Sequence, residues 1–275
     1  MTLVKSTGNK KVNLDFNKEF ISIFSDKIRS SDIQFINQTL KDLHESDVAN
    51  LIENLSNETR TKLIEIEGFN IDPDIFIELN ESIQSEVLQI LSAESIVNII
   101  KRLESDDSIK ILENLEKEKK DTILDKLPPK DKFLLEEGLS YPEDSAARIM
   151  QREFTAVPSN WSVGQTIDYL RENKDLPKEF LEIFIVDNDF KPVGTVPSSR
   201  VLRTSRDSKM NSIMAEMPVL IPVNMDKEEV GHTFENYNLL SAGVVNKDNK
   251  LVGMITADDA VTVVQEEAEE DVLRL

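Results

Sequence analysis

The stretch RIMQREFTAVPSNWSVGQTIDYL, residues 148–170, is matched in register by SIMAEMPVLIPVNMDKEEVGHTF, residues 212–234. The offset between the two stretches is 64 residues. It falls to 59 residues between Val186–Gly194 and Val245–Gly253. The difference of five residues lies in the loop NKDLPKEF, which lengthens the first copy. Two copies in the same internal order indicate a duplicated module of about 60 residues.

Each copy shows the same predicted order of elements: strand, helix, strand, turn, strand, helix. In the first copy the strands are FTAV, IFIVD and PVGTV, and in the second they are PVLIP, AGVV and LVGMIT. Asn and Asp residues fall between the last two strands of each copy, where a hairpin turn needs them. Neither copy has enough strands to cover its own sheet, so we expect the two copies to pack together.

The first half of the chain has a different periodicity. From residue 17 to 140 apolar residues recur at steps of three and four, which is typical of helices. Short predicted helices end at SAES, ESDDS, EKEKKD and PPKD, with candidate caps at Ser92, Ser105 and Asp121 and a Pro128-Pro129 first turn. Helices this short are marginally stable alone in water, so they must pack on neighbouring helices. The pattern predicts an α-solenoid over residues 17–140, and a plain helical bundle is the alternative.

The amino-acid composition excludes several classes of function. The 275 residues carry a formal charge of −20, which argues against nucleic-acid binding and favours cations or basic partners. There is no cysteine, there are only two histidines, and the eight glycines form no phosphate loop. Disulfides, thiolate metal sites and a nucleophile–base pair are therefore not expected, and we predict that the chain is not an enzyme. No apolar run is long enough to insert into a membrane, and the polar residues 1–16 are predicted to form a tail.

The duplicated module resembles a pair of CBS domains, also called a Bateman module. The resemblance implies a regulatory homodimer, formed through these domains, that binds adenine nucleotides or ions. The family's ribose-binding pattern occurs in the second copy as Gly253-Met254-Ile255-Thr256-Ala257-Asp258-Asp259. It implies nucleotide-binding roles for Gly253, Thr256 and Asp259. The first copy has Pro197 and Arg200 where the hydroxyl and the carboxylate belong.

The order of the two halves sharpens the resemblance. A helical domain, the junction LSYPEDSAARIM at 139–150 and the acidic segment QEEAEEDVLRL at 265–275 together resemble the cytosolic part of MgtE-type magnesium transporters. This implies an α + α/β architecture: a right-handed α-solenoid at 17–140, then CBS domain 1 at 141–206 and CBS domain 2 at 207–275. It also implies a cytoplasmic location beside a membrane pore domain. The chain is then either part of a longer transporter or a protein encoded without a pore.

The same resemblance implies regulatory Mg²⁺ sites between acidic surfaces. Carried over by position, the ligands are Asp74, Asp106, Asp226, Asp259, Glu267, Glu270 and Asp271, with Asp107 and Glu266 as assisting neighbours. Four positions depart from the family pattern: Lys110, Asn238 and Thr262 replace acids, and Arg148 replaces a glycine. We therefore expect fewer or weaker magnesium sites than in the family. One hypothesis is that Lys110 pairs with an acid in place of an ion.

Two regulatory functions remain open from the sequence. The first is a magnesium-sensing domain that closes on bound Mg²⁺ and gates a transporter. The second is a free-standing CBS protein that responds to an adenine nucleotide through the second copy. Compaction that depends on Mg²⁺ favours the first function, whereas stabilisation by a nucleotide favours the second.

Overall fold

A computed structural model describes residues 16–41, 43–66, 70–177, 180–216 and 219–273. The chain divides into two compact units. The first unit runs up to Leu103 and also includes Asn114–Lys126. The second unit comprises Glu104–Glu113 together with the chain from Leu127 onward. One short helical segment before the CBS-like repeat, 104–113, is therefore part of the same compact unit as that repeat.

Within its described residues, the first unit is built from helices only. They are α1 (Lys18–Arg29), α2 (Ile33–Lys41), α3 (Glu45–Glu53), α4 (Asn57–Glu65), α5 (Pro73–Ile77), α6 (Glu81–Ile90), α7 (Ala93–Ile100) and α9 (Lys117–Lys126). Each packs on a near neighbour in sequence, as α1 does on α2 and α4, α3 on α5, and α7 on α9. Stacking of this kind buries the side chains of short helices that would be marginal alone.

Arg60 shows how neighbouring helices of the first unit are joined. Its guanidinium group is buried and donates to the main-chain oxygens of Ile52 and Leu55 at 3.0 and 3.1 Å, at the end of α3. It also forms two hydrogen bonds, of 3.0 and 2.9 Å, with the carboxylate of Glu86 on α6. One side chain thus satisfies carbonyl groups at a helix end and links α3, α4 and α6.

The predicted helix starts are partly confirmed. Ser92 caps α7 by accepting a hydrogen bond from the Ser95 N–H, and Pro129 occupies the first turn of α10 (Pro129–Leu139). The prediction of Asp121 as a cap is wrong, because EKEKKD forms the first turns of α9 instead of a break. Ser105 is the first residue of α8 (Ser105–Glu113), and its hydroxyl group bonds to Glu153. Lysine and glutamate are good helix formers, so a charged run does not by itself end a helix.

The second unit contains the duplicated module, and the two copies have the same topology. Sheet one consists of β1 (Ala156–Pro158), β2 (Glu182–Val186) and β3 (Pro192–Pro197). Sheet two consists of β4 (Ile221–Pro222), β5 (Ser241–Val245) and β6 (Leu251–Thr256). In both sheets the first pair of strands is parallel and the second pair is antiparallel. The register shifts at corresponding places, Ile185/Val186 and Val244/Val245. The predicted strands are confirmed.

Helices flank each sheet. Beside the first sheet lie α11 (Val163–Glu172), α12 (Ser198–Arg203) and α13 (Met210–Ile213), and beside the second lie α14 (Lys227–Tyr237) and α15 (Ala257–Leu273). A 3₁₀ turn, Ala146–Arg148, precedes the first copy. None of the helices in the described ranges has both the length and the apolar content needed to cross a bilayer.

The two copies exchange edge segments. Gln151, which precedes the first sheet, pairs with Met254 of β6 through hydrogen bonds of 2.7 and 2.9 Å. Ala215, which precedes the second sheet, pairs with Thr195 of β3 at 3.0 and 2.9 Å. A mixed apolar cluster that includes Phe184 lies between the copies. The expectation that the copies pack together is confirmed, and the reciprocal exchange is the physical reason.

Candidate metal site

Six carboxylate side chains come together where α8, the segment 151–153 and the start of α15 meet, all within the second unit. They are Glu104, Asp106, Asp107, Glu153, Asp258 and Asp259, and we call them the acidic cluster. Asp106 and Asp107 lie in the first turn of α8, and Glu104 directly precedes this helix. Glu153 follows the segment that pairs with β6, and the last two form the first turn of α15. Strand pairing and two helix starts therefore bring like charges together.

Hydrogen bonds hold the backbone around the acidic cluster. The N–H and hydroxyl groups of Ser105 donate to Glu153 Oε2 at 3.1 and 2.9 Å. The Arg152 N–H donates to the Ser105 hydroxyl at 2.8 Å. The amide of Gln151 donates to Glu104 Oε2 at 2.7 Å and to Asp259 Oδ2 at 3.2 Å. Gln151 thus joins α8 to α15 through one side chain.

Burial, together with repulsion between neighbouring carboxylates, raises the pKa values of four members of the acidic cluster. Desolvation, followed by repulsion from Glu153, Asp107 and Asp259, raises the pKa of Glu104 to about 7. Desolvation and repulsion from Asp259 raise the pKa of Asp107 to about 6, although the ammonium group of Lys110 opposes the shift. Burial and then repulsion from Asp259 likewise raise the pKa of Asp106 well above its usual range. Cations or protons would relieve this repulsion.

The pKa of Asp259 is also raised, chiefly by burial, although a hydrogen bond from the Thr256 hydroxyl group opposes the shift. Asp106 differs from the others because its Oδ1 atom is buried and has no hydrogen-bond partner. A buried, unpaired carboxylate oxygen is costly unless something binds it. The donor set is made of hard oxygens, which suits Mg²⁺ or Ca²⁺. Across the described residues, however, no three acidic or histidine side chains already form a ligand group for a metal.

Three basic side chains of the second unit form ion pairs with acids outside the acidic cluster. Lys110 Nζ lies 2.7 Å from Glu266 Oε1, and Arg148 Nη1 lies 2.9 Å from Glu113 Oε1. Lys227 Nζ is 3.8 Å from an oxygen of Asp144 and 3.8 Å from an oxygen of Glu267. Ion pairs therefore join α8 and α14 to the acidic helix α15.

The structure brings some of the predicted Mg²⁺ ligands together, whereas others lie on different helices. Asp106 and Asp259 meet in the acidic cluster with Asp107. Asp226 caps α14 by accepting a hydrogen bond of 2.9 Å from the Glu228 N–H, and its neighbour Lys227 approaches Glu267. Asp74 lies in α5 of the first unit. The side chains of Glu270 and Asp271 lie outside the described part of the structure.

The residues of the predicted nucleotide pattern are adjacent. A Cβ atom at Gly253 would lie 2.7 Å from Met150 Sδ and 2.8 Å from the main-chain oxygen of Gln151, so this position needs glycine. The hydroxyl group of Thr256 donates to Asp259 Oδ2. The hydroxyl and the carboxylate are thus next to each other, and they are also bonded to each other.

Sequence reasoning missed Glu104, Glu153 and Gln151. Glu104 lies in the segment ESDDS, which was predicted to separate two helices. Glu153 follows the pair Ile149-Met150, which the second copy repeats as Ile213-Met214. Neither has a local signal, because their role comes from contacts across 47 or more residues. Asn238, a departure from the family pattern, ends α14 with φ of 50°, a left-handed conformation that suits asparagine.

These features define a CBS-pair protein with a helical domain in front of it. The intracellular N domain of MgtE proteins matches residues 43–144, and the CBS domain matches residues 146–207 and 210–266. The chain is 27% identical to the magnesium transporter MgtE of Enterococcus faecalis over 137 residues, 50% of this chain and 30% of the relative. It is 27% identical to MgtE of Thermus thermophilus over 149 residues, 54% of this chain and 33% of the relative.

Two solved structures have the same fold over most of the chain. The soluble part of a magnesium transporter has a TM-score of 0.76 at 21% identity, covering 91% of this chain and 99% of that one. The cytosolic domain of the Mg²⁺ channel MgtE in complex with ATP has a TM-score of 0.78 at 22% identity, covering 88% and 99%. The chain is a homologue of the MgtE magnesium transporters, with their N domain and CBS pair. Its alignments span about a third of the curated relatives' length.

Proposed function

We propose that this chain is the Mg²⁺-sensing, cytoplasmic regulatory part of an MgtE-type transporter, without enzymatic activity. The observation that carries the proposal is the acidic cluster: burial and mutual repulsion raise the pKa values of Glu104, Asp106, Asp107 and Asp259, and the buried Oδ1 atom of Asp106 has no hydrogen-bond partner. Mg²⁺ prefers carboxylate and water oxygens. A bound cation would remove the repulsion that the cluster otherwise has.

Asp106, Asp107 and Asp259 are the residues that we expect to hold Mg²⁺ in the acidic cluster. The ion supplies positive charge there, whereas the chain supplies position: Gln151 and Ser105 fix the segments that carry the carboxylates. The other predicted ligands stay predictions from the resemblance, and they are Asp74, Asp226, Glu267, Glu270 and Asp271. An ion that binds one arrangement of these surfaces more tightly shifts the population toward it.

The proposed partner is a membrane pore domain, at the cytoplasmic face of the membrane. The support is homology to proteins named magnesium transporters, of which the alignments cover about a third. In this proposal the Mg²⁺-bound arrangement closes the pore when the ion is plentiful.

We also propose that the CBS pair forms a homodimer. Leu181 and Leu240 lie just before β2 and β5 at equivalent positions, and their side chains are 73% and 65% exposed. The Glu182 carboxylate accepts a hydrogen bond of 2.7 Å from the Ser241 hydroxyl, so these two chain segments adjoin. Leu202 on α12 and Val261 on α15 are a second exposed, equivalent pair. Exposed apolar side chains at equivalent positions of the two copies suit contact with a second copy of the chain.

Sedimentation velocity tests the homodimer. The variant Leu202→Glu with Val261→Glu should shift the protein to monomer at micromolar concentration, whereas the exposed Phe133→Glu on α10 should not. An unchanged sedimentation coefficient for the double variant would contradict this interface.

An adenine nucleotide is the second candidate ligand, because Thr256 and Asp259 bring a hydroxyl and a carboxylate together at a strand-to-helix turn. A ribose diol could accept and donate at these two groups. Asp259 would then serve either the nucleotide or the cation. ATP that raises the unfolding temperature in EDTA would support this candidate, and loss of that effect in Thr256→Val would locate it.

Isothermal titration calorimetry tests the magnesium proposal. MgCl₂ is titrated into the wild type, into Asp106→Asn/Asp259→Asn and into the control Asp207→Asn, whose exposed carboxylate lies outside the acidic cluster. We expect binding in the wild type and the control, and at least about ten-fold weaker binding in the double variant, because two ligand charges are lost. Equal binding in all three proteins would contradict the assignment of the site.

A further inference from the structure

Lys110 lies at the border of the acidic cluster, on the same helix as Asp106 and Asp107. Its ammonium group donates a hydrogen bond of 2.7 Å to Glu266 Oε1, two turns into α15. The two side chains are 40% and 36% exposed, so water reaches the pair without surrounding it. The contact joins residues that are 156 positions apart in sequence.

The ammonium group also acts on the acidic cluster itself. Its charge lowers the pKa of Asp107, against burial and the repulsion of Asp259, Asp258 and Glu153. A positive charge that stabilises an ionised carboxylate in this way does part of what a bound cation would do. Unlike a dissolved ion, it is covalently attached to α8 and is present at any Mg²⁺ concentration.

We infer that Lys110 is a built-in cation that holds α8 against α15 when no metal ion is bound. The inference deepens the proposed function, because a permanent positive charge sets how much of the arrangement depends on Mg²⁺. With Lys110 in place, the metal-free protein keeps α8 and α15 joined, and Mg²⁺ adds a smaller increment. Without it, the carboxylates repel one another fully, and the arrangement depends on the ion.

Hydrogen–deuterium exchange of the full chain tests this inference, in EDTA and in MgCl₂, at low and high NaCl. The variants are Lys110→Gln, Lys110→Glu and the charge exchange Lys110→Glu/Glu266→Lys. Lys130→Gln is the control, because this exposed lysine lies on α10 of the same unit. Peptides from 105–113 and 257–268 report on the two helices.

We expect Lys110→Gln to speed exchange in α8 by about two- to five-fold in EDTA, the size of a partly exposed ion pair. Lys110→Glu should speed it further. The charge exchange should recover part of the protection that Lys110→Glu loses, since an opposite-charge pair is re-formed, although the carboxylate at position 110 still repels Asp107. The difference in exchange rate between Lys110→Gln and the wild type should become smaller at high NaCl, because salt screens the attraction between Lys110 and Glu266. The slowing of exchange by Mg²⁺ should be larger in Lys110→Gln than in the wild type.

The outcomes separate this inference from the proposed function. If Lys110→Gln and the wild type exchange at the same rate in EDTA at low salt, the inference about Lys110 is wrong. This holds even if Mg²⁺ slows exchange in both proteins. If Lys110→Gln exchanges faster but Mg²⁺ changes neither protein, magnesium sensing fails and the internal cation stands. A charge exchange that gives no slower exchange than Lys110→Glu alone would also overturn the inference, because the pair with residue 266 would then contribute nothing through its charge.

Discussion

The two CBS copies share a backbone and differ in charge at the same turn. In the first copy β3 leads into α12 with Arg200 in its first turn, and in the second β6 leads into α15 with Asp259 at the equivalent place. The guanidinium group of Arg200 donates to the main-chain oxygen of Ile213 at 2.9 Å, in the segment that pairs with β3 through Ala215. Asp259 instead takes part in the acidic cluster. The duplicated residues build the fold, and the divergent residues build the site.

The glycines before this turn belong to the shared part. A Cβ atom at Gly194 would lie 2.5 Å from the main-chain oxygen of Ala215, and one at Gly253 would lie 2.8 Å from that of Gln151. Main-chain oxygens cannot move away without shifting the exchanged edge segments. Each glycine therefore allows the close approach by which one copy holds the segment that precedes the other.

Gly253→Ala should have the largest effect of the changes considered in this comparison. We expect a loss of unfolding free energy of about 1–3 kcal/mol, as for overpacked cores, measured by urea denaturation. Gly194→Ala should cost a similar amount. Only Gly253→Ala should also weaken Mg²⁺ binding, because Gln151 and Glu153 follow the displaced segment. Equal loss of Mg²⁺ binding in both variants would contradict the division between fold and site.

The pH dependence of stability should differ between the surroundings of the two turns, because the acidic cluster includes the turn of the second copy and not that of the first. Glu104 and Asp107 have folded-state pKa values of about 7 and about 6, above their ordinary values, so the folded state retains protons that the unfolded state releases. Their repulsion is therefore absent at low pH and grows as the pH rises toward 7, which lowers stability. Asp32, Glu86 and Glu94 have lowered pKa values and titrate below this range.

In EDTA we expect the unfolding temperature to fall between pH 5.5 and pH 8, and Glu104→Gln/Asp107→Asn to reduce that slope. The groups that face this pair are Glu153, Asp258, Asp259 and Lys110. Asp168→Asn in the first copy is the matched control and should leave the slope unchanged. An unfolding temperature that rises with pH in the wild type would contradict the raised pKa values.

Arg200→Asp should have the smallest effect. It places the second copy's carboxylate into the first copy, where α12 also carries Arg203 and where the helix α8 does not contribute acids. We expect a loss of about 0.5–1.5 kcal/mol from the broken hydrogen bond to Ile213, and no Mg²⁺ binding beyond that of the wild type. An additional Mg²⁺ site in calorimetry would show that the turn alone makes the site.

The strands of the duplicated module could be predicted from the sequence. The repeat offsets of 64 and 59 residues and the Asn and Asp turn residues predicted all six strands and their order, because strands and hairpins are encoded over short distances. The position of Asp259 followed from the resemblance. Glu153 and Gln151 could not be predicted, since they belong to the acidic cluster only through the exchanged edge segment. The Lys110–Glu266 pair was expected only as a type of contact, and its partner required the structure.

The measurement that tests the central claim most directly is the unfolding temperature of the wild type and of Asp106→Asn/Asp259→Asn in three solutions: EDTA, millimolar MgCl₂, and NaCl of matched ionic strength. The matched salt is needed because screening alone stabilises a chain with a formal charge of −20. The account predicts that MgCl₂ raises the wild-type midpoint more than NaCl does, and that the two salts act alike on the double variant. Equal effects of the two salts on the wild type would contradict magnesium sensing at the acidic cluster.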